Sequence, residues 1–71
     1  LEPVPVRCRI PELLIKIGKD QQWLAIQTGK QKQKISDYCN MRGGIMNLKT
    51  AALLAHYLKC SIDDLYVWEW Q

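Results

Sequence analysis

Residues 20–40 read DQQWLAIQTGKQKQKISDYCN, two short helical patterns separated by a single glycine, Gly29. Asp20 suits the N-cap of the first helix, because its carboxylate can accept from the free backbone N–H groups of the opening turn and complements the helix dipole. Gln21 opens that helix. Leu24 and Ala25 face inward, and the small Ala25 lets a second helix cross at close range. Gly29 ends it by supplying the left-handed backbone conformation that residues with a Cβ adopt only at a cost. The spacing predicts the next helix from about Gln31 to about Asn40. Ile35 and Tyr38, three apart, form its inner face, while Lys32, Gln33, Ser36 and Asp37 point outward.

Gln21, Ala25, Gly29, Ile35 and Tyr38 stand in the register of the lambda-repressor and Cro-like helix-turn-helix, and the stretch resembles that family, often called the XRE family. The resemblance covers about Ile10 to Tyr66 and implies an all-α domain of five helices with the motif at about 20–40. It also implies a sequence-specific regulator of transcription, a repressor, that reads the major groove of double-stranded DNA with the helix at about 31–40. Gln31, Lys32, Gln33, Ser36 and Asp37 would face base edges: a Gln suits adenine N6 and N7, a Lys suits guanine O6 and N7, and Asp37 could accept from cytosine N4. Gln21, Lys30, Lys34, Asn40 and Arg42 would hold phosphates and set register without reading sequence. Lys30 stands where the family more often carries an apolar core residue. A stem laid over the core with the ammonium reaching out keeps the family geometry and makes it a phosphate contact. Regulators of this kind usually read two half-sites by two-fold symmetry, which implies a homodimer on the nucleoid in the cytoplasm.

At 71 residues the chain is one domain, 1–71, near the lower size limit for folding on a single hydrophobic core. No apolar run approaches the roughly 20 residues of a membrane span and no signal-peptide pattern opens the sequence, so a soluble, intracellular protein is expected. A first residue Leu1 rather than Met is consistent with a fragment of a longer protein. The balance of 10 Lys and Arg against 7 Asp and Glu gives +3, too mild to imply a polyanion partner by itself. Its distribution says more. Lys30, Lys32, Lys34 and Arg42 gather at the second motif helix, opposed locally only by Asp37, while Asp63, Asp64 and Glu69 lie near the other end. Cysteines 8, 39 and 60 are odd in number and share no close pair, so neither a disulfide framework nor a zinc site is expected, nor any cofactor. Cys60 is read as a core position, and His56 as a surface or packing residue.

Outward from the motif, Pro3 and Pro5 rule out helix at the start, and Val6, Cys8 and Ile10 alternate with Arg7 and Arg9 as in a strand at about 4–10. Pro11 then stands where a first helical turn tolerates it, and Leu13, Leu14 and Ile17 form an apolar stripe ending at Gly18. Beyond Asn40 a loop with two glycines, MRGGIMN, could run close to a phosphate backbone. Asn47 can cap a helix from Leu48 to about Lys59, with Leu48, Ala51, Ala52, Leu54, Ala55 and Leu58 as its buried stripe. Ser61 and Asp64 read as a capping-box variant before a very short fifth helix with Ile62 and Leu65 inward. In the tail, Tyr66, Trp68 and Trp70 alternate with Val67 and Glu69, which predicts a strand at about 66–70 paired with the first in a small sheet joining the termini. Glu69 would face Arg7 or Arg9 across it. Trp68 and Trp70 either pack on the domain's own helices or meet a second copy.

An enzyme is not expected. The chain has no Gly-rich phosphate loop, no Cys and His at a recognisable spacing and no carboxylate dyad. The alternative to a DNA reader is a protein-interaction module on the same fold, in which Lys30 and Asp37 mark a recognition helix that has lost DNA and the Trp-rich end binds another regulator or itself. RNA fits less well, since a short helix suits the DNA major groove better than the narrow RNA one.

Overall fold

The turn between the two motif helices is built as the residue types dictate in the computed structural model of the protein, which describes residues 1–71. Asp20 Oδ1 accepts from the Trp23 N–H at 2.8 Å and starts α2, Gln21–Thr28. Gly29 takes φ 71° and ends it. The second motif helix, α3, spans Lys32–Cys39, with Gln31 as an extended residue just ahead of its first turn rather than inside it. Leu24, Ala25, Ile35 and Tyr38 are all buried, so the two helices are pinned through the predicted anchors. Trp23 is half-buried, packing at the margin of the core with the Lys19 ammonium 5.5 Å from its ring.

Four α-helices, one 3-10 turn and two strands make up the chain, so the domain is helical with a small sheet rather than purely α. The expected fifth helix is the 3-10 turn, Ile62–Leu65, too short for an α-helix between its Ser61 cap and the strand that follows. The Ser61 N–H donates to Asp64 Oδ2 at 3.3 Å. Leu65 is fully buried, but Ile62 opens the turn at the surface.

Helix α1 runs Ile10–Lys16 with Pro11 in its first turn. Ile10 therefore begins the helix instead of ending the strand, and it is completely buried with Leu13 and Leu14 beside it. Helix α4, Leu48–Leu58, is capped by Asn47, whose side chain accepts from the Thr50 N–H at 2.8 Å. Its buried stripe is Thr50, Ala51, Leu54, Ala55 and Leu58. Leu48 and Ala52 were expected in that stripe and are exposed. The stripe centres on Leu54 and Leu58, which turns Ala52 past its edge, and Leu48 sits in a first turn that no neighbouring element covers. Cys60 is half-buried at the core margin, and His56 is exposed, its ring edge-on to Tyr57.

Strands β1, Pro3–Cys8, and β2, Tyr66–Trp70, pair antiparallel and join the two ends of the chain. Their register sets Pro3 against Trp70, Val4 against Glu69 and Pro5 against Trp68, then skips Val6 before Arg7 meets Val67. Glu69 thus faces Val4 and neither arginine, because the pairing of Pro3 with Trp70 leaves Arg7 two places further along the ladder, opposite Val67. Arg7 and Arg9 turn instead to Glu12 at 3.1 and 3.4 Å, and Arg9 also lies 3.8 Å from Asp64. Glu2 and Gln71 exchange both backbone hydrogen bonds. By the alternation of an antiparallel ladder, the nitrogens of Pro3 and Pro5 then point away from β2, to an edge where no donor is required.

Tyr66 ties the sheet to the helices. Its hydroxyl accepts from the Met46 N–H at 3.1 Å within the core, which satisfies a backbone group of the loop between α3 and α4. Burial, with the nearby Cys8 thiol adding to it, pushes the Cys39 thiol up to about 12. Burial raises Cys8 and Tyr66 in the same direction. The fold favours the protonated form of all three, so their contribution to stability is complete below the ordinary thiol value of 9.0 and is lost as pH rises towards about 12. Thermal melts from about pH 8 upward are expected to show a melting temperature that falls steadily above about pH 9. A flat profile would show these groups to be as solvated as in the unfolded chain.

Candidate nucleic-acid interface

Two buried anchors, Ile35 and Tyr38, turn the opposite face of α3 to solvent. On that face Gln31, Lys32, Gln33 and Lys34 are exposed, and Ser36 and Asp37 follow one turn later, half-buried. The amino end of the helix, where the first backbone N–H groups are free, carries the two glutamines and three of the lysines. None of Lys30, Lys32 and Lys34 enters an ion pair. The Lys34 ammonium lies 5.3 Å from the Tyr38 ring, which carries its stem along the helix side. Lys30 is half-buried, and its backbone N–H is held by Thr28 Oγ1 at 3.4 Å.

Three of the residues expected at phosphates lie outside the amino end of α3. Gln21 begins α2, half-buried, and Asn40 closes α3, donating its Nδ2 to the Ser36 carbonyl at 2.9 Å. Arg42 stands in the following loop with most of its side chain in solvent. Met41, at φ 58°, turns the chain out of α3 towards Arg42.

A connection that the reading of the sequence left out joins three of these residues. Gln33 Nε2 donates to Asp37 Oδ1 at 3.1 Å, and Arg42 Nη1 lies 3.7 Å from the same oxygen. The i,i+4 spacing of Gln33 and Asp37 was the available signal. Asp37 therefore faces two donors of its own chain. Elsewhere no group of three metal-ligating side chains is assembled, and Cys8, Cys39 and Cys60 are free thiols.

The model of the Cro/C1-type HTH DNA-binding domain matches residues 9–71. The chain belongs to this family. Its members bind DNA as a domain type, and the exposed, lysine-bearing face of α3 is the second motif helix of the family fold. The Cro/C1-type chain is also 37% identical over 67 residues to the SPbeta prophage-derived uncharacterized HTH-type transcriptional regulator YotL of Bacillus subtilis (strain 168), an alignment covering 94% of this chain and 84% of that protein. It is 38% identical over 60 residues to the regulator YopS, described in the same terms from the same organism, covering 84% of this chain and 81% of YopS. No helix of this Cro/C1-type domain is long and apolar enough to cross a membrane.

Proposed function

We propose that this chain is a transcriptional repressor that acts in the cytoplasm as a homodimer and reads the major groove of double-stranded DNA with α3. The observation that carries the reading is the open outer face of α3: no part of the terminal sheet covers it, and its lysines are unpaired. Gln31, Lys32, Gln33 and Ser36 are assigned to base edges, and Gln21, Lys30, Lys34, Asn40 and Arg42 to phosphates. Gln33→Ala is expected to cost about 1–3 kcal/mol on the specific site and to relax preference at one base pair. Titrations on single-base variants check this, and an equal loss on every sequence would count against direct reading.

The dimer is assigned to the outer edge of β2. Pro3 and Pro5 blunt the free edge of β1, whereas the outward N–H groups of Trp68 and Trp70 meet no backbone partner. Two copies of β2 can pair about a two-fold axis at Trp68. That register sets Tyr66 against Trp70 of the second copy, continuing the aromatic row on one face, and places each Glu69 beside Val67 rather than against its own counterpart. Trp70, 67% exposed, gains the most cover. Sedimentation should show a dimer that Trp70→Ser weakens, and a mixed-label sample should show proximity between Val67 of one copy and Glu69 of the other. A chain that binds DNA as a monomer, or a dimer without that proximity, overturns the assignment.

A further inference from the structure

We infer that Asp37 is a positioning residue that makes Gln33 an adenine reader and excludes guanine, an inference that rests on α3 reading bases. An ionised carboxylate only accepts hydrogen bonds, so the Gln33 amide can turn nothing but its NH2 group to Asp37 Oδ1, 3.1 Å away. Arg42 Nη1, 3.7 Å from the same oxygen, offsets part of its charge beside a face meant for a polyanion. With one Nε2 hydrogen engaged, the amide has one N–H and its carbonyl oxygen left. That pair matches adenine, whose N7 accepts and whose N6 donates. Guanine presents two acceptors, N7 and O6, and a free glutamine could turn both Nε2 hydrogens towards them. The held glutamine cannot, and its carbonyl would meet O6 with like polarity.

Asp37 thus acts through Gln33 rather than at a base of its own. Its removal should change which base is preferred far more than how strongly DNA is held. Bound sequences selected from a randomised duplex pool, followed by titrations on adenine and guanine versions of the selected site, test this with the whole chain. The unaltered protein is expected to prefer adenine on the order of ten-fold. Asp37→Ala should reduce that preference to about two-fold or less. Asp37→Asn keeps an acceptor but adds donors, so Gln33 can turn either end to it and the preference should fall between those two values, while both variants bind random duplex slightly more tightly because each removes a negative charge. Asp37→Ala retaining the full preference, or both variants losing it equally, overturns the positioning role. Gln33→Ala selecting the same sequence as the unaltered protein overturns base reading at this residue altogether, and so separates the two failures. Thermal melts of each variant confirm that the folded domain is being compared.

Discussion

Ile35→Ala is expected to lower the stability of the domain by about 2–5 kcal/mol, the range for truncating a buried aliphatic side chain when the surroundings collapse only in part. Ile35 is completely buried and sits on the inner face of α3, the helix proposed to read DNA. For a chain of this size, with total stability of about 4–10 kcal/mol, the loss is a large fraction of the whole. Each kcal/mol moves the melting temperature by roughly 4–8 °C in domains of 60–100 residues, so a fall of at least about 8 °C is expected by calorimetry. Ile26, 66% exposed on α2, is the control: Ile26→Ala should stay within about 0.5 kcal/mol of the unaltered protein. Equal effects at the two positions would mean that α3 is not anchored through Ile35. DNA affinity of Ile35→Ala should fall with the folded fraction, on all sequences together.

The triple variant Lys30→Ala, Lys34→Ala, Arg42→Ala should change the salt dependence of binding more than any single substitution. Removing a cation that neutralises one phosphate flattens the slope of log affinity against log salt by about 0.9, hence by roughly 2.7 for three. The weakening should be the same for operator and random duplex if these side chains meet phosphates, as proposed, rather than base edges. Titrations at several salt concentrations measure this directly. An unchanged slope would take all three away from the phosphates. A weakening confined to one sequence would move at least one of them to the bases. Neither lysine is in an ion pair, so their removal unpairs no partner; Arg42→Ala leaves Asp37 with Gln33 alone.

The elements that the sequence made legible are those set by local chemistry. Asp20, Gly29 and Asn47 cap or end helices because of what their own atoms can do, and each was readable one residue at a time. The alternation from Tyr66 to Trp70 likewise marked a strand. What escaped depends on a second element. Periodicity gave α4 an apolar stripe, but whether Leu48 is covered depends on how far its neighbours extend, and they stop short of it. The partner of Glu69 depends on the register between the two strands, which the alternation within either strand does not fix. At the candidate site, residue types suggested which side chains face outward. That Asp37 is held between Gln33 and Arg42 required knowing where the loop after α3 returns.

The placement of the prolines in β1 bears on how far self-association can go. A pair joined along β2 would use up the open margin of each copy and leave only the proline-bearing margins outside. A third molecule would find no row of amide hydrogens to add to. Assembly would therefore close at two instead of growing into fibres, even though the chain ends in a short, aromatic, strand-forming sequence that would otherwise be prone to stacking.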